Sequence, residues 1–264
     1  MVAVCLAACS SDNENEAPQR PLTVTVSEKP MTRAGAPIET ATLARFSMNY
    51  ENSKYDFTKT GSTWNTLNWP ASVPNATEID FYAYNGGTFY YNGGNPYVNF
   101  TVDSEVGAQK DFLVAEHKKI SYSQCSGTVS QVFDHATAAV RFQVYLSNTL
   151  STALGSSKLQ VNSITLKNLK NTGQYFYAAS EWSELSGSAD YSLSSSVIDV
   201  GTTPLLLDCG YLYMLPQSLD GVEFEIAYVN GSTRVATLSF PQNQAWEAGT
   251  EYTVDIKLTT KIIQ

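Results

Sequence analysis

Residues 222–240 read VEFEIAYVNGSTRVATLSF and carry the clearest structural signal in the chain. Every second residue from Val222 to Tyr228 is apolar, which is the pattern of a β-strand with one buried face. The Asn230-Gly231 step that follows suits a two-residue turn, because Asn and Gly tolerate positive φ. The segment therefore predicts a β-hairpin that joins residues 222–229 to residues 233–240.

The same period-two alternation recurs on both sides of this hairpin. Apolar residues occupy every second position in residues 79–83, 140–146 and 252–258. Between residues 159 and 166 the alternation slips by one position at Asn162-Ser163, which predicts a β-bulge. A helical period is confined to one turn at residues 149–154. Short strands separated by turn signals predict an all-β fold of the sandwich or barrel type.

The chain length favours two domains. A sandwich of roughly 100 residues is typical, and the chain has 264 residues. We expect two Greek-key-like β-sandwiches, residues 43–150 and residues 151–264, after an unstructured leader. The boundary is expected between Phe133 and Gly155, and we place it near residue 150.

The composition restricts the function classes. The net charge is −9 and only 16% of the residues are charged, which argues against a nucleic-acid partner because phosphate contacts need clustered Lys and Arg. Recognisable catalytic, metal-binding and phosphate-binding motifs are absent from the sequence. We expect His117 to be exposed and His135 to be structural. No enzyme activity, metal or cofactor is predicted.

The N-terminus has the features of an exported lipoprotein. Residues 1–8 are apolar and are typical of the end of a secretory signal. Leu6-Ala7-Ala8-Cys9 is similar to a bacterial lipobox, which predicts that Cys9 is lipidated. An outer-membrane or cell-surface location follows, with the lipid as the membrane anchor.

The polar tether of residues 9–42 contains one short strand and one basic site. Four prolines interrupt the tether, but residues 22–26 alternate, with Leu22, Val24 and Val26 on one face. Arg33 lies in a flexible polar stretch, so a trypsin-like protease would cut between Arg33 and Ala34. The alternative is that Arg33 is an ordinary exposed arginine.

Two cysteines belong to the folded part of the chain. An exported protein permits a disulfide between Cys125 and Cys209. Two separately buried thiols are the equally acceptable alternative.

Aromatic residues are concentrated between residues 81 and 97. The alternation places Tyr82 and Tyr84 on the polar face of their strand, and we name these two residues and Tyr91 as candidate contacts for a glycan or a host protein. The alternative is cross-strand aromatic pairing that only stabilises the sheet.

Four segments give the chain a resemblance to the fimbrillin family, the pilus and surface-adhesin lipoproteins of Bacteroidetes. They are the lipobox with its tether and Thr32-Arg33 step, the His-x-x-Ala segment within residues 133–142, the Leu-Pro-Gln segment at residues 211–217, and the Trp-x-x-Gly-x-x-Tyr segment at residues 246–254. Together they span nearly the whole chain.

The resemblance implies transthyretin-like sandwiches and assembly by strand donation. In family stalk subunits a protease cuts after an arginine, the first strand leaves, and a strand of a neighbouring subunit fills the groove. The matching parts here are residues 22–26 as the removable strand and Arg33 as the cleavage site. Other pilus subunits in a fimbrium are then the expected partners.

The short segment after the last predicted strand favours a particular position of the subunit in the pilus. Six residues follow Leu258, too few to serve as a long donor strand, so we expect a tip or minor pilus subunit that functions in cell adhesion. The alternative is a monomeric surface lipoprotein of the same fold that binds glycans.

Overall fold

A computed structural model describes residues 19–31, 43–155, 159–194, 196–230 and 232–263. Almost all regular structure in these residues is β-strand, which confirms the predicted all-β class.

The first half of the chain contains eleven strands and two short helical turns. The turns are a 3₁₀ helix at Val106–Ala108 and helix α1 at Tyr122–Cys125. The strands are β1 (Pro21–Glu28), β2 (Arg45–Tyr50), β3 (Ser53–Thr60), β4 (Thr63–Trp64), β5 (Leu67–Asn68), β6 (Ile79–Tyr84), β7 (Thr88–Tyr90), β8 (Tyr97–Thr101), β9 (Leu113–Ala115), β10 (Lys118–Ile120) and β11 (Thr128–His135).

The second half contains thirteen strands and helix α2 at Asn148–Leu154. The strands are β12 (Ala138–Leu146), β13 (Leu159–Leu169), β14 (Thr172–Phe176), β15 (Glu181–Ser186), β16 (Ala189–Ser194), β17 (Ile198–Val200), β18 (Leu205–Leu206), β19 (Leu212–Met214), β20 (Gln217–Ser218), β21 (Glu223–Asn230), β22 (Ser232–Ser239), β23 (Ala245–Trp246) and β24 (Glu251–Leu258).

The N-terminal half is organised by one nine-stranded sheet. Its strand order is β4-β3-β2-β6-β9-β11-β1-β5, and β10 also pairs with β6. The buried side chains of this sheet form an aromatic-rich hydrophobic cluster that includes Phe46, Phe57, Phe81 and Phe133. Phe46 packs against both Phe57 and Phe133 with ring centroids 5.1 Å apart, so the centre of this cluster holds strands from distant parts of the sequence together.

The C-terminal half encloses a second hydrophobic cluster between two sheets. One sheet has the order β18-β12-β19 with β24 beside β12, and the other has the order β16-β13-β21-β22 with β17 beside β13. Strand β12 contributes five fully or almost fully buried apolar side chains to the second cluster. Because β12 packs with the second cluster, the chain passes between the two clusters near Ala136, which lies within the expected range of Phe133 to Gly155 and before residue 150.

A four-stranded sheet joins the two halves. Its order is β15-β14-β8-β7, so hairpin strands from both halves lie side by side. The chain leaves the first sheet at Gly87, where φ is +70° and an added Cβ would lie 2.5 Å from the Asn99 carbonyl oxygen. Strands β6 and β7 consequently belong to different sheets, whereas β7 and β8 form a hairpin around Asn92-Gly93-Gly94.

Several local predictions are confirmed. β21 and β22 pair antiparallel from Glu223–Ser239 to Asn230–Ser232. The register of β13 against β21 shifts between Val161 and Ser163, which is the predicted bulge. Cys125 and Cys209 are free thiols that lie near different hydrophobic clusters, so the structure supports the alternative of separate thiols.

Candidate strand-exchange site around the first strand

Strand β1 lies close to an edge of the N-terminal sheet. It runs parallel to β11 over six residue pairs, from Thr23–Thr128 to Glu28–Phe133. On its other side it pairs with β5 only at Pro21 and Leu22. In the described part of the chain, β1 beyond Leu22 is therefore held by a ladder on one side only.

The side chains of β1 alternate between core and solvent. Leu22 is 0% exposed and Val24 is 8% exposed, and both belong to the N-terminal hydrophobic cluster. Val26 is partly buried against the same cluster, whereas Thr25 and Ser27 are exposed. The face predicted from the sequence is the face that the structure buries.

Arg20 anchors the start of β1 to the loop after β5. Its guanidinium donates to the carbonyl oxygens of Val73, Pro70 and Ala71 at 2.5, 2.8 and 3.0 Å, and to the Asn75 side-chain oxygen at 2.8 Å. Charge-assisted hydrogen bonds of this kind are stronger than neutral ones. Sequence reasoning missed this anchor, because its partners lie 50 to 55 residues away and are mostly carbonyl groups.

Polar contacts also hold the end of β1. Lys29 Nζ lies 2.8 Å from a carboxylate oxygen of Asp134, which directly follows the paired part of β11. The Leu43 backbone N–H donates to Glu28 Oε1 at 2.6 Å. This second bond ties β1 to the residue at which the described chain resumes.

Gly127 allows the start of β1 to approach the turn before β11. Its φ is +80°, and an added Cβ would lie 2.3 Å from the Pro21 carbonyl oxygen and 2.9 Å from the Tyr122 ring. The Gly127 carbonyl accepts a hydrogen bond from the Thr23 N–H at 2.8 Å. A side chain at this position would push β1 away from its partner strand.

The His-x-x-Ala segment continues β11 into the junction between the two halves. His135 is buried and its Nδ1 is hydrogen-bonded to Asp111, whose other oxygen accepts from the Thr137 hydroxyl at 2.5 Å. Burial alone lowers the pKa of His135, but the contact with Asp111 outweighs it and raises the pKa above its ordinary value. Trp182 Nε1 donates to the Ala136 carbonyl at 2.6 Å, so this segment connects the halves.

The tyrosines named as ligand contacts are not arranged as predicted. Tyr82 is 9% exposed and Tyr84 is 3% exposed, because the four-stranded sheet covers that face of β6. Tyr84 donates to Asn49 at 3.0 Å, and burial raises its pKa to about 12. The prediction that these two side chains face solvent was wrong. Tyr91 is half-buried.

The other predicted sites fall outside the described residues. They are the lipidation site Cys9 and the cleavage site at Arg33 and Ala34. Among the residues that the structure describes, no group of metal-ligating side chains comes together. Helices within the described ranges are all too short to cross a membrane.

Comparisons with known proteins agree with this architecture. A family model described as fimbrillin-like matches residues 24–264, so it begins within β1 and covers most of the chain. No curated protein sequence matches the chain.

Solved structures with a similar fold include a putative cell adhesion protein and a fimbrial protein, both from Bacteroides. A putative cell adhesion protein from Bacteroides uniformis is 15% identical and has a TM-score of 0.56, with 94% of this chain and 95% of that chain covered. A fimbrial protein from Bacteroides vulgatus is 16% identical and has a TM-score of 0.57, with 93% and 96% covered. At these identities the likeness concerns the fold.

The chain belongs to the fimbrillin-like family. This membership makes it a pilus-type subunit of the cell surface and a structural protein rather than an enzyme.

Proposed function

We propose that the protein is a subunit that joins a pilus by accepting a donor strand, with β1 as the strand that is replaced. The observation that carries this proposal is the one-sided ladder of β1, combined with the burial of Leu22 and Val24. Removal of β1 would expose the backbone edge of β11 and two apolar sites. An incoming strand of alternating apolar residues would fill both.

The sequence around β1 favours release by cleavage after Arg33. Between residues 10 and 44 the basic residues are Arg20, Lys29 and Arg33. Arg20 and Lys29 each precede a proline, whose fixed ring makes a poor substrate for trypsin-like proteases. The bond between Arg33 and Ala34 is thus the one susceptible site in this segment, and it lies just after β1.

An acceptor role as a tip or minor subunit is part of the proposal. The last described strand, β24, pairs with β12 over all eight of its residues, and Ile256 and Leu258 are 0% exposed. If β24 were donated to a neighbour, the C-terminal cluster of the donor would open. We therefore propose that β24 stays in place and that the chain receives a strand rather than supplying one.

The test is capture of a labelled peptide that spans residues 20–29. After limited trypsin treatment, the cut protein should remain folded and should exchange its own β1 for the peptide, whereas uncut protein should not. An Arg33→Ala variant should resist cutting and capture no peptide, and Arg45→Ala should behave as the wild type. Equal capture by uncut protein, or unfolding on cleavage, would contradict strand exchange. Ladders of the cut protein alone would contradict the acceptor role.

We also propose that Cys9 carries the lipid that holds the protein at the outer membrane before cleavage. A Cys9→Ala variant should leave the membrane fraction, whereas Cys5→Ala should stay in it. Membrane retention of Cys9→Ala would contradict the anchor without bearing on strand exchange.

A further inference from the structure

The four-stranded sheet that joins the two halves has one face in contact with the core and one face open to solvent. Phe89, Val98, Tyr175 and Trp182 lie on the inner face and pack with the aromatic cluster at the junction. The outer face is built from the alternate residues of the same strands. We call it the outer face of the β15-β14-β8-β7 sheet.

The first row across this outer face is aromatic. Tyr90, Tyr97 and Phe176 are cross-strand neighbours. The ring centroids of Tyr90 and Tyr97 lie 5.1 Å apart at 14° between the planes, and those of Tyr97 and Phe176 lie 5.2 Å apart. Tyr90 ends the row on the edge strand β7 and is 43% exposed. Its second ring face meets no other aromatic ring of the described chain.

The next row consists of neutral hydrogen-bonding side chains. Asn99 and Gln174 are paired across β8 and β14, with Thr88 and Ser183 on their outer sides. The two rows are about 6.6 Å apart, because a strand rises about 3.3 Å per residue. Asn99 and Gln174 are both half-buried, and within the described residues their side-chain amides make no hydrogen bond to another protein group, so they can bind a ligand.

The face also lacks basic residues. Strands β7, β8 and β14 contain no Asp, Glu, Lys or Arg, and the charged residues of the sheet are Glu181 and Glu184 on β15. Glu181 is opposite Phe176 and ends the aromatic row on the β15 side. The whole chain has a net charge of −9. An anionic ligand would be repelled by this net charge and would find no cation on the face.

We propose that this outer face binds a neutral polysaccharide. The C–H faces of a pyranose ring are apolar and would pack on Tyr90 and its aromatic row, whereas the hydroxyl groups would bond to the amides of Asn99 and Gln174. A neutral ligand suits a face that has no cation and whose aromatic row ends in the Glu181 carboxylate at the strand farthest from Tyr90. The site is separate from β1, so the proposal is independent of strand exchange.

The experiment is native affinity electrophoresis of the full protein in gels that contain one neutral polysaccharide each (galactomannan, xyloglucan, laminarin or yeast mannan) or one acidic polysaccharide (polygalacturonate or heparin). At least one neutral gel should retard the protein, and the acidic gels should not. The dissociation constant, taken from retardation at several polysaccharide concentrations, should increase about tenfold for Tyr90→Ala. Gln174→Ala should weaken binding in the same direction.

Tyr145→Ala is the matched control, because Tyr145 is a half-buried tyrosine on β12 in another sheet. It should bind as the wild type does. Absence of retardation in every neutral gel would overturn the proposal, as would retardation by acidic gels alone. Unchanged binding by both Tyr90→Ala and Gln174→Ala would also overturn it. So would light scattering that shows a dimer which Tyr90→Ala dissociates, because the face would then be a protein interface.

Discussion

The guanidinium of Arg20 donates a hydrogen bond of 2.5 Å to the carbonyl oxygen of Val73, which lies 53 residues further along the sequence. This hydrogen bond and three others from the same side chain fix the position of the residue that directly precedes β1. The strand that the protein is proposed to release is thus held by a polar anchor that cleavage at Arg33 leaves intact. Release of β1 then requires that the anchor and the apolar contacts break together.

We predict that Arg20→Ala lowers the free energy of unfolding of the N-terminal half. In this variant the four carbonyl and amide oxygens lose their charged donor. Because a hydrogen bond to a charged group contributes about 1.5–3 kcal/mol to stability, we expect the free energy of unfolding to fall by at least this order. The measurement is urea denaturation followed by tryptophan fluorescence. Arg45→Ala, at an exposed position on β2, should change the midpoint little. Equal effects of the two variants would show that Arg20 is no anchor.

A second prediction concerns Gly127. Gly127→Ala should be more destabilising than Gly221→Ala, although both glycines have φ of +80°. The backbone strain is the same at the two sites, but only the Gly127 methyl group would collide with Pro21, whereas Gly221 has open space. The difference in free energy of unfolding between the two variants isolates the collision. If the two variants unfold at the same denaturant concentration, β1 does not need this close approach.

A third prediction follows from the raised pKa of His135. A histidine whose pKa is higher in the folded state stabilises the fold while it is protonated. That contribution is complete below the ordinary value of 6.5 and is lost as the pH rises through the raised pKa. We therefore expect stability to fall across this interval in the wild type.

The variant His135→Gln should remove this part of the pH dependence, and His117→Gln should retain it. Urea denaturation from about pH 5 to about pH 9 measures the effect, and an NMR titration of the imidazole resonances reports the pKa itself. Identical pH profiles for the wild type and His135→Gln would contradict the prediction.

The sequence predicted the strands well because their alternation is a local property. It predicted the buried face of β1 and the bulge at Asn162 for the same reason. It misplaced Tyr82 and Tyr84 because tyrosine suits both a solvent face and a core, and because the layer that covers them includes strands from residues 172–186. It gave no local signal for the passage between the two clusters near Ala136, because the passage from β11 to β12 contains neither glycine nor proline.

Local sequence patterns could not predict which side chains hold the two ends of β1. Arg20 and Lys29 are ordinary basic residues in the tether, and their partners lie between 50 and 105 positions away. Only the folded chain brings them together. The cleavage site Arg33 and the lipidation site Cys9 remain predictions from the sequence.

The last prediction tests the register of the strand that replaces β1. The groove left by β1 has a fully buried site for Leu22 and an open position at Thr25, which is exposed. Because side chains alternate, a slip of one residue would exchange the buried and exposed sets. A peptide of residues 20–29 should therefore lose affinity for the cut protein on Leu22→Ala by about 2 kcal/mol, or roughly thirtyfold. The matched peptide with Thr25→Ala should bind almost as the unmodified peptide does. Fluorescence anisotropy of labelled peptides measures both. If the two variants bind equally, or if Thr25→Ala is the weaker, the incoming strand does not take the register of β1, and the alternation of Leu22, Val24 and Val26 does not select the donor.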